Sequence, residues 1–365
     1  MVAKFGTNLL TGGTGRLDID FMAGLVEQTS RLYSQKLEVV IVSSGAVAAG
    51  RQKLGLTKER KDIPFKQVLA SIGQSELLHT YEKLFSQHNI TVAQALLTKS
   101  DIVDRAGYLN TRNTLLALIE LGVICIVNEN DVVCTDEIGG VKFGDNDNLS
   151  AMVANLVDAD LLVLLTDIDG LYTADPQCDP EAKLISRVEV IDDEIMQLAG
   201  KAITSRGVGG MITKIEAARL ATASGVTVII ASGREPDALR RIVAEDSLGT
   251  VFTPRTSKLE SKKRWMLSGL ASRGKLIIDN GAVLALREQS KSLLPAGVVT
   301  VEGEFRRGDV VDIFDLKGSY IGCGITNYDF KDVSIIKGSH SETISTFLGY
   351  EYGAEVVNRS NMVLI

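Results

Sequence analysis

The sequence predicts an α/β protein: a large domain built on a mostly parallel sheet, followed by a small β-rich domain. Three observations carry this expectation. Through the first two thirds of the chain, apolar strand-like runs alternate with helix-like segments, an order that implies parallel strands joined by right-handed crossovers. The run LLVLL, Leu161 to Leu165, is apolar without alternation, as a strand buried on both faces must be. From Lys275 the pattern changes to short runs broken by Gly and Asp, namely KLIIDNGAVLAL, GVVTVEG, FRRGDVVDIFD and GSYIGCGITNY, which read as short strands. A length of 365 residues suits one large and one small domain. The expected division is 1–253, a basic linker at 254–274 with a short helix around Trp265, and 275–365.

The elements follow in order. Val2 to Gly13 begins as a short strand and runs into a glycine-containing turn. Lys4 interrupts this apolar run, which is costly unless it meets a ligand or a partner charge; the alternative is an edge residue whose stem is buried and whose head is wet. Phe21 to Tyr33 has helical spacing through Phe21, Leu25 and Leu32. Leu37 to Gly50 is an apolar strand, the turn Ser43-Ser44-Gly45, and a helix start. Such a turn offers backbone N–H groups to an anion, or is an ordinary serine cap. Thr57 to Asp62 is a charged, solvated loop, and Pro64 to Phe85 a long helix with apolar positions including Val68, Leu69, Leu77 and Tyr81. Gln74 within that helix is expected at a surface or an interface. Ile90 to Leu97 is a strand, Arg105 to Leu121 a helix ended by Gly122, and Val123 to Val127 a buried strand. After helix Leu149 to Val157 and the strand at Leu161 come helix Ile212 to Ser224 and Val226 to Ala231, the expected last strand of the large domain.

Composition narrows the function classes. Apolar content of 45% and charged content of 23% are those of a soluble globular chain. A net charge of −7 argues against a general binder of nucleic acid or anionic membranes. No apolar stretch approaches the ~20 residues of a membrane span, and the N-terminus lacks a signal-peptide layout. Cys125, Cys134, Cys178 and Cys323 form no CxxC pair, which fits reduced thiols and a cytoplasmic location. Three histidines without an HExxH pattern make a histidine-built zinc site a poor expectation.

The stretch from Asn128 to Ala151, NENDVVCTDEIGGVKFGDNDNLSA, stands out. Asp and Asn at this density disfavour helix and strand interiors. Here they lie between two core-like segments, at a strand end and a helix start, where open α/β sheets bind ligands. The intervening Cys134 to Phe143 is expected to form a hairpin that joins the two clusters. Thr166-Asp167 is a further polar turn at a strand end, and SRGVGGMITK, Ser205 to Lys214, is a glycine-rich loop that opens a helix and ends in lysine. Glycines and helix-terminal N–H groups suit phosphates, and the lysine adds a movable positive charge. Two lysines, several strand-end Asp and Asn residues and no usable histidine suit phosphoryl transfer, which depends on positioning and charge neutralisation. A carboxylate acceptor, with a pKa near ~4, needs no general base at neutral pH.

These residues carry a family resemblance. KFGTNLLT, VSSGAVAAG, LASIGQ, YLNTRNT, VNENDVV, KFGDNDNLSA, LLTDIDGLYTADP and GGMITK, in this order, resemble the amino-acid kinase family, specifically its glutamate-phosphorylating branch. Other branches share the lysines but not NEND followed by FGDNDN. The resemblance implies a three-layer αβα sandwich and phosphorylation of the γ-carboxylate of L-glutamate by ATP with Mg²⁺, the first step of proline synthesis, with proline as a feedback inhibitor. It implies that Lys4 and Lys214 neutralise the transferring phosphoryl group while Asp147 orients them. Ser44, Gly45, Asn128, Asp131, Asp145 and Asn146 are implied to bind glutamate, with Asp131 toward its α-ammonium. Lys4, Thr166, Asp167, Val208, Gly209, Gly210, Met211, Ile212, Thr213 and Lys214 are implied to bind ATP, with Mg²⁺ held mainly by its phosphates. Val208 stands where the family usually has Thr, which removes one hydroxyl contact. A homo-oligomer, dimer or tetramer, is also implied. The region from Lys275 resembles a PUA domain, a module found in RNA-modifying enzymes. Its nine Lys and Arg against twelve Asp and Glu give 9 − 12 = −3, and an RNA-binding face is normally basic. A structural or regulatory role is therefore the expectation there, with RNA binding the minority alternative.

Overall fold

The computed structural model describes residues 1–56, 62–133, 146–176, 178–201, 210–255, 257 and 272–364. They form two compact units, residues 1–102 with 111–258, and residues 103–110 with 259–365. The expected helix at Trp265 and the expected hairpin at Cys134 to Phe143 lie outside the described residues.

The first unit opens with β1 (Val2–Phe5), α1 (Thr7–Thr11), α2 (Ile19–Ser34), β2 (Val40–Ser43), α3 (Ala46–Lys53), α4 (Ile63–Ser86) and β3 (Val92–Leu97). It continues with α5 (Lys99–Val103), α6 (Arg105–Glu120), β4 (Ile124–Glu129), α7 (Asp147–Leu156), β5 (Leu161–Thr166), β6 (Arg187–Val188), α8 (Asp193–Lys201), α9 (Met211–Ala223), β7 (Thr227–Ser232), α10 (Ala238–Val243) and β8 (Thr250–Phe252). Caps set several boundaries. Asp18 accepts from Phe21 N at the start of α2, and Asp62 does the same for Phe65 N at the start of α4, where Pro64 occupies the first turn. Gly122, at φ +70°, turns the chain after α6, a conformation that favours glycine.

The sheet has the order β3-β4-β2-β1-β5-β7-β8-β6. Neighbours are parallel except β7 and β8. Its core strands are the continuous apolar runs, and Leu162 to Leu165 are each 0% exposed. β1 lies between β2 and β5, with Lys4 in register with Val42 and Leu164. The chain winds one way from β1 to β2 and later returns to β1's other side with β5, so the carboxyl end of β1 is a topological switch point.

Three expectations are corrected here. Val226 to Ala231 does not end the sheet, because β8 follows and pairs with it antiparallel; a strand of three residues is too short to show a period. The turn after β1 contains the short helix α1. Gln74 is buried, at 9% exposure, while Val68 on the same helix is 50% exposed. The inward stripe of α4 runs through Ala70, Gly73, Gln74, Leu77 and Tyr81, and it includes a polar residue that a hydrophobicity reading places outside.

The second unit holds β9 (Gly274–Ile278), α11 (Asn280–Glu288), β10 (Val298–Gly303), β11 (Val310–Asp315), β12 (Tyr320–Thr326), α12 (Phe330–Ile336), α13 (Ile344–Leu348) and β13 (Val357–Leu364). The strand order is β10-β9-β11-β12-β13, with only β9 and β11 parallel. Leu276, Ile313, Ile321, Tyr328 and Val357 centre its core. The run KLIIDNGAVLAL is half strand and half helix, because Asp279 accepts from Ala282 N at 2.7 Å and caps α11. Residues 103–110 join this unit through Leu109, which is 0% exposed among Val310, Cys323, Ile325 and Val363. Arg105 also pairs with Asp309 there. The expected division near residue 253 did not assign that short segment to the C-terminal unit.

Candidate active site

At the carboxyl end of β1, three charges meet out of water. Lys4 Nζ lies 2.6 Å from Asp147 Oδ1, and Lys214 Nζ lies 3.1 Å from Asp147 Oδ2. Lys4 comes from β1, Asp147 from the first turn of α7, and Lys214 from the first turn of α9. α7 packs against β1, β5 and α9, which brings the three together. Asp147 is 0% exposed, Lys4 1% and Lys214 7%. An unpaired charge at such depth would be prohibitively costly. The carboxylate also gains from its place in the first turn of α7, where unpaired N–H groups favour negative charge. Thr213 adds a hydroxyl that donates to Asp147 Oδ2 at 2.9 Å. The sequence reading placed Thr213 at the nucleotide and did not connect it with Asp147; its position beside Lys214 was the available signal.

Two ammonium groups thus converge on one carboxylate beside the strand ends. Ammonium groups held at fixed points suit an anion carrying distributed negative charge, as a transferring phosphoryl group does.

A second cluster adjoins the first through the chain bond between Asn146 and Asp147. Asn146 Nδ2 lies 2.7 Å from Ser43 O, 3.2 Å from Ser44 Oγ and 2.7 Å from Asn128 Oδ1. Asn128 Oδ1 also accepts from Glu129 N at 2.9 Å. The carboxyl ends of β2 and β4 are thus tied by one amide that precedes α7. Ser44, Asn128 and Asn146 are all buried. Gly45 caps α3 at φ +103°, where a side chain would be strained and would also meet Leu17 at 3.4 Å. Asp131 follows on the half-buried turn after β4. Its carbonyl and that of Val132 accept from Gln67 Nε2 at 3.1 and 3.3 Å.

Thr166 ends β5, and its hydroxyl donates to Asp167 Oδ1 at 3.1 Å, while Asn8 donates to the other oxygen of Asp167 at 3.4 Å. Gly210 precedes α9, Met211 is buried by its side chain and Ile212 is 38% exposed. Met211 therefore has only its backbone to offer a nucleotide, and the first-turn N–H groups of α9 have no partner within the helix. Asp145, Val208 and Gly209 lie outside the described residues. Among the described residues, no group of three or more His, Cys, Asp or Glu could hold a metal. No described helix is long and apolar enough to cross a membrane.

Two lysines paired on a buried carboxylate at the switch point of a parallel sheet form the candidate site, and comparison with known sequences shows the class of the chain to be that of a kinase. The profile of the amino acid kinase family matches residues 1–232, and the chain belongs to that family. The PUA domain profile matches residues 274–348. A relative from Dehalococcoides mccartyi is 58% identical over 365 residues, covering 100% of this chain and 98% of the relative. Relatives from Herpetosiphon aurantiacus and Shewanella sediminis are 51% and 48% identical, each covering 100% of this chain and 97% of the relative. All three relatives carry the name glutamate 5-kinase.

Proposed function

We propose that this chain transfers the γ-phosphoryl group of ATP to the γ-carboxylate of L-glutamate, releasing ADP and an acyl phosphate. The observation that carries the reading is the pairing of Lys4 and Lys214 on Asp147, one residue from the Asn146 amide that ties Ser44 to Asn128. Full-length similarity to proteins named glutamate 5-kinase supports the choice of acceptor.

In this reading the acceptor's side-chain carboxylate attacks without losing a proton, since it is ionised at neutral pH. Lys4 and Lys214 neutralise charge on the transferring group, and Asp147 holds both ammonium groups at fixed points. Such preorganised charge does not have to reorganise as the reaction proceeds. Ser44, Gly45, Asn128, Asp131, Asp145 and Asn146 form the acceptor subsite. Asp131 is a partner for the α-ammonium, and Asn146 braces the turns around the acceptor. Thr166, Asp167 and the segment from Val208 to Lys214 receive the nucleotide. Mg²⁺ supplies further neutralisation of phosphate charge. When bound, the ion would be held mainly by the phosphates of ATP, while Asp147 holds Lys4, Lys214 and Thr213. The product is the entry compound of proline synthesis, proline acts as a competing amino acid at the same subsite, and the chain works in the cytoplasm as a homo-oligomer. The PUA domain is structural or regulatory.

Hydroxylamine trapping tests the reaction. Acyl phosphates react with hydroxylamine, so glutamate, ATP and Mg²⁺ should yield a γ-glutamyl hydroxamate in step with ADP. ADP release without any hydroxamate would reject the assignment.

A further inference from the structure

We propose that Gln74, together with Gln67, is a positioning residue for the acceptor subsite, setting the turn that carries Asp131 from a closely packed neighbouring helix. The inference rests on the proposed reading of Ser44, Asn128 and Asp131 as that subsite.

α4 packs backbone to backbone on α3. A Cβ on Gly73 would meet Ala46 O at 1.8 Å, and one on Gly50 would meet Leu69 O at 1.9 Å, so the two backbones touch. α3 in turn starts at the Ser43-Ser44-Gly45 turn. Along α4, Gln67, Gln74 and Tyr81 recur every seven residues, close to two helical turns, and so form one stripe. Each member of the stripe holds a different part of the subsite. The Tyr81 hydroxyl lies 2.9 Å from Ser43 Oγ. Gln74 Nε2 donates to Glu129 O at 3.3 Å, and Gln67 Nε2 donates to Asp131 O and Val132 O at 3.1 and 3.3 Å. One helix therefore fixes both walls: the Ser43 turn at one end and the turn from Glu129 to Val132 at the other.

Gln74 is the informative member. It is 9% exposed, and its Oε1 is buried without a hydrogen-bond partner among the described residues. A half-satisfied buried amide costs stability that an apolar side chain of similar length would not. Packing alone would be served at least as well by Met. What Met would lose is the donor to Glu129 O, and with it the height of the Asp131 turn over the acceptor.

The test compares full-length Gln74→Met and Gln67→Met with the parent chain, by initial rates over glutamate and ATP concentrations and by thermal unfolding. Gln74→Met should raise KM for glutamate by about tenfold, since small misplacements of binding groups are costly. Its KM for ATP should stay within about twofold and its unfolding midpoint should match or exceed the parent's. Gln67→Met, at a half-exposed position, should raise the glutamate KM by about threefold, and it decides the matter if the buried variant fails to fold. Glutamate KM values at the parent level in folded variants, or an equal rise for ATP, would overturn the role of Gln74. A parent chain that turns over no glutamate would overturn the acceptor assignment itself, and that result appears before any variant is made.

Discussion

Lys4 Nζ and Asp147 Oδ1 lie 2.6 Å apart, with side-chain exposures of 1% and 0%. A pair this deep is sustained only if each charge stays partnered, and Asp147 additionally serves Lys214 and Thr213. The carboxylate is therefore the common anchor of the positive charge at the end of β1.

Replacing that anchor should disable catalysis, because it frees Lys4 and also the Lys214 and Thr213 side chains of α9. Asp147→Asn should lower kcat by about 100-fold or more, the scale expected for loss of preorganised charge. Lys4→Met and Lys214→Met should each do as much. The double variant Lys4→Met with Asp147→Asn should be little worse than either alone, because the groups act as a unit. Steady-state kinetics would check this, and multiplying losses would show that the residues act independently.

Arg112 is among the largest fully buried side chains, at 1% exposure. Its guanidinium donates to Leu156 O at the end of α7 and pairs with Asp158 at 2.6 Å. It thus holds the far end of the helix whose first turn bears Asp147. Arg112→Met should cost about 2–4 kcal/mol through lost packing and an orphaned carbonyl. Thermal unfolding should show a midpoint lower by about 5–10 °C; an unchanged midpoint would contradict the clamp.

The cysteines should differ sharply in reactivity. Burial pushes the Cys125 thiol up to about 12, and burial likewise raises Cys323, against a hydrogen bond from Tyr320 that pulls the other way. Cys178 is exposed. Because the thiolate is the nucleophile, iodoacetamide at pH 8 should label Cys178 and spare Cys125 and Cys323 in the folded chain. Peptide mass spectrometry reads the outcome directly. The sign of the shift also makes Cys125 a source of alkaline instability. Its raised folded pKa leaves stability intact below the unfolded value, near ~8.5, and removes it as pH rises toward the folded one.

Much of the architecture was legible because burial on both faces writes itself as uninterrupted apolar sequence, as in Leu161 to Leu165. Lys4 was legible for the opposite reason, as a charge in a run that otherwise excludes charge. The pairing of Lys4 and Lys214 on Asp147 rested on family resemblance, since no periodicity links residues so far apart in sequence. Gln74 was misplaced because polar residues are assigned outward by default, and only the close approach of α3 and α4 at Gly50 and Gly73 shows that its face points inward. β8 was too short for any pattern, and α11 was hidden because its apolar residues follow a strand without a break except the capping Asp279. The attachment of Leu109 to the C-terminal unit left no local trace, since an apolar position on a helix does not say which core it enters.

The proposed acceptor is tested most directly by measuring ADP release from ATP and Mg²⁺ with glutamate, aspartate or N-acetylglutamate supplied separately to the purified full-length chain. ADP release should depend on glutamate and stay near background with the other two. Equal rates with aspartate or N-acetylglutamate would contradict it.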